Sequence, residues 1–420
     1  MRSEAAVAPP QPAGARRQRE LGLPDRFWPV ALGAGMLVYA VTAVTYALRV
    51  PIGRSADELS HLNYARIIAG HLALPGAGVL ERQQPPLYYL GAAGLLKLGV
   101  SEQGVRLVST LLGLVAVLAV AATVRTVLPE RPWLAAGAAA SVALLPGFQD
   151  LGGSISDDPL AIAVGALLLL VTARVVVTRS PTRGLLIGIG VLAGIALLAK
   201  ETDWALLIGL GAAIAWRWRG QLRAVHLLPL LGLPVLIAGW WFVRNMATFH
   251  RPLPPLTLSD QPHVYLRSAG QLRGIASETL RDLFGPERFQ GGLVAVPRAG
   301  EALVFLLSAA LVLALLMAAV LTARSWRGWT ARRRAQVVFL GGAAALALVF
   351  SLGNSVFVAL QPQARYLLVA AAAPALAVAW STARLGQGRP RALAATVTIV
   401  VIAALTLSAI GIHAAATSPG

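Results

Sequence analysis

The 420 residues are 57% hydrophobic and only 13% charged, with a net charge of +18; soluble domains carry about 25% charged residues. Repeated apolar runs close to 20 residues long suit a bilayer and not a soluble core, so the chain reads as a single all-α polytopic membrane domain over 28–413. Cysteine is absent, which excludes disulfides, thiolate nucleophiles and Cys-ligated metal or iron–sulfur centres.

Residues 1–27 are rich in Pro, Ala and Arg, lack periodicity, and are expected to form a disordered basic cytoplasmic tail. No cleavable signal peptide is evident, because the first apolar run, from near Trp28, lacks a small-residue cleavage site. About eleven spans follow, at 28–48, 105–127, 133–149, 159–178, 184–199, 204–216, 227–243, 301–323, 336–353, 366–382 and 393–413. A further apolar stretch, 86–99, begins after Pro85, ends in Gly99 and has only 14 residues. That length predicts a re-entrant or interfacial helix.

Charge fixes the expected topology. With 86–99 not crossing and the N-terminus inside, the inner segments carry +17 and everything else only +1. If 86–99 crossed, Arg332, Arg333 and Arg334 would face outward, against the excess of basic residues on the cytoplasmic side. The same rule explains the net charge without nucleic acid. Two sizeable outer loops result, 49–104 and 244–300, the second with a mildly amphipathic stretch at 264–284; a short outer tail follows at 414–420. Arginine outnumbers lysine 34 to two in an alanine-rich chain, a bias expected of a GC-rich bacterial genome, and a bacterial plasma membrane is the expected location.

Acidic residues gather on the predicted outer face. In SADELSH, Asp57 and His61 stand i, i+4 and Glu58 and His61 stand i, i+3, spacings that share one helix face. Such a group suits a general base or a divalent cation site. It equally suits a solvated helix start, with Ser55 as cap and two acids facing the helix dipole. Asp157 and Asp158 precede Pro159 at the mouth of a span. One of them reads as an N-cap, while the second is costly there unless it has a role. Lys200, Arg365, Arg106 and Arg244 stand at predicted outer span ends, where snorkelling is the plain reading of each. Lys200, one of only two lysines, points to a need for a compact ammonium, as a lipid-linked phosphate would impose. HExxH spacing, a Walker loop and a GxGxxG context are all missing, so soluble-nucleotide chemistry has no evident home.

The order of these features is that of a known family. An outer-loop Asp-Glu-x-x-His, then QPPLYYLGAAGLLKLG with Arg106 beyond it, an Asp pair after the third span, Lys200 ending the fifth, WWFVRN closing the seventh and QARYLL opening a late one resemble the GT-C membrane glycosyltransferases. That superfamily includes the protein O-mannosyltransferases and the aminoarabinose transferases. The resemblance implies a GT-C-like helical bundle with extracytoplasmic loop helices. It implies an inverting transferase that moves a hexose or pentose from a polyprenyl-phosphate carrier to an envelope glycan, lipid or protein. It further implies that Asp57, or alternatively Glu58, is the catalytic base, that Asp157 or Asp158 supplies a second acid, and that Arg365, with Lys200 and Arg106, holds the donor phosphate. His61 and Arg244 are supporting residues. No cofactor is required; a divalent cation among Asp57, His61, Asp157 and Asp158 is compatible with this chemistry. The rival readings are a transporter or flippase of lipid-linked sugars, and a non-catalytic envelope scaffold.

Overall fold

The computed structural model describes residues 27–76, 78–253, 268–284, 298–357, 363–386 and 390–417. The expected tail at 1–27 lies outside these residues except for Phe27, as do much of the loop 244–300 and the end of the tail 414–420. The described residues contain helices and no strand.

The first helix, α1 (Phe27–Arg49), stops just before Pro51. Two short helices follow, α2 (Glu58–His71) and α3 (Leu87–Lys97). At about 1.5 Å per residue, the 11 residues of α3 cannot cross a bilayer. Tyr64 and Tyr89 stack at 3.9 Å and fasten α3 to α2. The helix α4 (Glu102–Val127) is capped by Ser101, which accepts from the Gly104 amide at 3.2 Å. The predicted span 133–149 is broken. Pro146 cannot continue a helix, and α5 (Pro132–Ala143) and α6 (Pro146–Gly152) meet at 71°.

Next come α7 (Asp158–Val177), α8 (Arg183–Ala199), a 3₁₀ turn (Glu201–Asp203), α9 (Trp204–Trp218) and α10 (Ala224–Phe249), the last with a π turn at Leu228–Gly232. The predicted amphipathic stretch is α11 (Ala269–Phe284). The chain ends with α12 (Arg298–Ser325), α13 (Ala331–Phe357), the short α14 (Arg365–Leu368), α15 (Ala372–Leu385) and α16 (Pro390–Thr417).

Among the described residues seven helices are long and apolar enough to cross a membrane, eight if the bent α5–α6 pair counts as one span. The other three predicted spans correspond to shorter helices: α8 has 17 residues, α9 has 15 and α15 has 14. By length they fall short of a ~30 Å hydrocarbon core, although α9 and α15 are prolonged by the turn at Glu201–Asp203 and by α14.

Small residues set how closely the helices approach, as packing in lipid demands. A methyl group at Gly113 of α4 would lie 1.7 Å from the Tyr39 hydroxyl of α1, and one at Gly152 of α6 would lie 2.0 Å from it. Tyr39 therefore wedges between α4 and α6 and holds the loop leading to Asp157. On α7, a methyl group at Gly165 would meet the Val369 carbonyl at 2.5 Å. This gap lets the segment after α14 lie directly on α7, which carries Arg365 to Asp158. The two ends of the bundle differ. One holds the start of α7, the end of α8 and α14. The other holds the Arg333–Glu130 ion pair and the Trp218 indole, which donates to the Thr178 carbonyl at 3.3 Å.

Candidate functional site

Asp57 stands at the N-terminus of α2 with φ 58° and ψ 4°, a left-handed conformation that Asp tolerates better than most residues. Because the helix starts only at Glu58, Asp57 does not join the helix face that Glu58 and His61 share as buried residues. The three side chains part. Asp57 turns to Arg365, Glu58 turns into the core, and His61 meets the Tyr89 hydroxyl through Nδ1 at 2.7 Å.

Glu58 is fully buried. Its Oε1 accepts from Arg106 Nε at 2.7 Å and from the Ile155 amide at 2.9 Å; its Oε2 accepts from Arg106 Nη2 and from the Gly53 amide, each at 2.7 Å. The fully buried Arg106 also donates to the carbonyls of Ala47, Val50 and Pro51. All five guanidinium N–H groups are thus engaged. Burying such a pair is worthwhile only with this degree of satisfaction. The arrangement corrects the expectation for Arg106 as a phosphate ligand and for Glu58 as a base: neither has a free polar atom to offer. Together they clasp the end of α1, the start of α2 and the 153–158 loop.

The other expected residues come together from four separate stretches of chain. Lys200 Nζ donates to Asp157 Oδ1 at 2.6 Å and to Asp158 Oδ1 at 2.7 Å. Arg365 donates from Nη1 to Asp158 Oδ2 at 3.2 Å, from Nη2 to Asp57 Oδ2 at 2.8 Å and from Nε to Gln363 Oε1 at 2.7 Å. Ser156 donates to Asp158 Oδ2 at 2.8 Å. The result is a chain of alternating charge, Asp57–Arg365–Asp158–Lys200–Asp157. The Asp57 side chain is 36% exposed, whereas Arg365 is 6% exposed and the rest are buried. Tyr366 lies between the two cations, its ring centroid 5.9 Å from Lys200 Nζ and 5.6 Å from the Arg365 guanidinium carbon.

Arg244 stands apart. It donates to the carbonyls of Leu74 and Pro75 at 3.2 and 2.8 Å and lies over the Phe249 ring at 5.0 Å, so it braces the 72–76 loop. Among the described residues no three His, Asp or Glu side chains converge as a metal site. Asp57, Asp157 and Asp158 each face Lys200 or Arg365, and His61 is held by Tyr89.

Two acids beside Lys200 were not singled out by spacing. Burial pushes the half-buried Glu201 up to about 7, with the Asp157 charge adding to it against the pull of Lys200. Burial holds the fully enclosed Asp203 well above the usual carboxylate range. Burial would lower Lys200, but Asp157 and Asp158 outweigh it and keep the ammonium above the usual lysine range. The only sequence signal for these acids was their place in KETD. Ser156 and Gln363, which orient Asp158 and Arg365, left none.

The family described as dolichyl-phosphate-mannose-protein mannosyltransferase matches residues 83–241. No curated protein matches the chain. Among solved structures, ArnT from Cupriavidus metallidurans in the apo state aligns at 16% identity and a TM-score of 0.54, covering 88% of this chain and 63% of that one. The same protein bound to undecaprenyl phosphate aligns at 17% identity and 0.52, over 90% and 64%. The archaeal oligosaccharyltransferase AglB from Archaeoglobus fulgidus, in complex with an inhibitory peptide and a dolichol-phosphate, aligns at 13% identity and 0.50, over 93% and 56%. The chain therefore spans less than two thirds of the length of each of these structures.

Proposed function

From a chain that has the GT-C fold of membrane glycosyltransferases, we propose an inverting transferase that uses a polyprenyl-phosphate-linked sugar and glycosylates an envelope acceptor on the outer face of a bacterial plasma membrane. The observation that carries this reading is the alternating ion chain at one end of the bundle. It contains two cations suited to a phosphate and one carboxylate open enough to reach an acceptor.

The charges also suggest an order of events. Three carboxylates share two cations, so an anionic donor meets a site of net negative charge as long as the chain is closed. The contact that opens most readily is Arg365–Asp57, because Asp57 is the exposed partner. A donor phosphate takes over the guanidinium, which can hold two phosphate oxygens at once, and Asp57 is released. Asp57 then accepts the proton of the acceptor hydroxyl as its oxygen attacks the anomeric carbon. The bond from that carbon to the phosphate oxygen breaks, and the electron pair leaves with the phosphate facing Arg365 and Lys200. Attack opposite the leaving group inverts the anomeric centre. Asp157 and Asp158 keep Lys200 charged and aimed. Glu58 and Arg106 serve as the clasp that sets the Asp57 backbone.

Lipid profiling tests the reading. A strain lacking the gene is expected to accumulate a polyprenyl-phosphate sugar, and complementation with Arg365→Ala is expected not to relieve it. Arg365→Lys, which keeps the charge and loses the fork, is expected to relieve it in part. An unchanged lipid profile in the deletion strain removes the proposal.

A further inference from the structure

The turn that follows Lys200 holds a concentration of buried polar atoms without partners. Among the described residues, Asp203 has neither carboxyl oxygen hydrogen-bonded, and the Thr202 hydroxyl, the Trp204 indole N–H and Asp157 Oδ2 are likewise unsatisfied and shielded. Trp241 of α10, fully buried, adds a second unsatisfied indole N–H. It packs in one cluster with Trp204, and both rings contact Phe242, at 4.9 Å from Trp241 and 6.0 Å from Trp204. A buried polar group with no partner costs about 1–3 kcal/mol. Several in one place, three of them on consecutive residues, are a feature that folding alone selects against.

We propose that this group is the subsite for the sugar of the lipid-linked donor, and that the sugar is a neutral one recognised through its hydroxyls. The inference rests on the function proposed above. The sugar is joined directly to the phosphate, so its subsite must adjoin the phosphate cations, and residues 202–204 come two to four positions after Lys200. The unsatisfied set mixes donors, in the two indoles, with acceptors, in Asp157 and Asp203, and adds the Thr202 hydroxyl, which does both. Hydroxyl groups, which donate and accept, complement such a set. The ammonium of an amino sugar only donates and would also meet Lys200. The indole rings offer flat apolar surface beside their polar edges, as carbohydrate rings require.

The test compares binding of bare polyprenyl phosphate with binding of the same carrier bearing glucose, mannose or arabinose, using the full chain in nanodiscs. The wild-type chain is expected to bind at least one glycosylated carrier more tightly than the bare one. Thr202→Val and Trp204→Phe each remove one unsatisfied group. They are expected to reduce that sugar-dependent gain by roughly 3- to 10-fold, the loss of one ordinary hydrogen bond. They should leave bare-carrier affinity unchanged and thermal stability equal or higher. A merely structural role would instead lower stability and spare the gain. The inference is overturned if both variants retain the full gain, or if bare carrier binds and no sugar on the panel improves on it; the phosphate site survives either result. A chain that binds no polyprenyl phosphate in any form defeats the functional reading itself.

Discussion

Asp57 combines a left-handed backbone, a partly exposed carboxylate and a 2.8 Å ion pair with Arg365. Asn tolerates the same backbone region as Asp, so Asp57→Asn removes the base without adding strain. It is expected to lower glycosyl transfer by about 10²–10⁴ while leaving donor binding intact or stronger, because Arg365 loses its competitor. Turnover assays beside carrier-binding measurements separate the two effects; wild-type turnover would move the base elsewhere. Glu201 gives a pH prediction. Its carboxyl titrates near 7 in the folded chain against an ordinary 4.5. A folded value above the unfolded one means that the neutral form is tolerated and the charged form penalised. This contribution to stability is complete below about pH 4.5 and is lost as pH rises through 7. Glu201→Gln should flatten that decline in thermal unfolding across this window, and an unaltered slope would show that Glu201 is not its source. Asp203 acts in the same direction, since burial holds it well above the usual carboxylate range.

At the level of elements, the site depends on short pieces held in place by long helices. The Glu58–Arg106 clasp ties α1, α2 and the 153–158 loop to α4. Removing one partner leaves a charge buried without compensation. Arg106→Met is therefore expected to destabilise the protein by about 3–5 kcal/mol, and the double variant Glu58→Met/Arg106→Met to recover part of the loss. A double-mutant cycle on unfolding of the detergent-solubilised protein measures the coupling. If Arg106 bound the donor phosphate directly, its loss would weaken carrier affinity with the fold intact, and no such coupling would emerge. Gly165 plays the matching part for Arg365, since only a residue without Cβ allows the backbone at Val369 to approach α7.

For the whole molecule, the assembled ion chain and the arginine-rich turns occupy opposite ends of one bundle. On the charge partition of +17 against +1, the arginine end is expected to face the cytoplasm. A topology reporter fused after Gly328 is expected to read cytoplasmic, and one fused at Ser268, just before α11, extracytoplasmic. The reverse pattern would turn the site toward the cytoplasm and remove the outer-face reaction.

The class of the protein, the positions of most of its spans and the shortness of the helix within 86–99 were all legible in the amino-acid order. Hydrophobic run length and charge asymmetry act locally, and a bilayer reads them one segment at a time. So was the membership of Asp57, Asp157, Asp158, Lys200 and Arg365 in one polar set, because charges at span ends must lie on one side or the other. Which charge meets which was not legible. Glu58 and Arg106 carry the same charges as Asp57 and Arg365, and only packing shows that the first pair is sealed with every polar atom satisfied while the second stays open to exchange. The left-handed turn at Asp57 and the unsatisfied polar atoms after Lys200 likewise arise from contacts between segments far apart in the chain. Their energies depend on what lies opposite, and that is decided only when the helices pack.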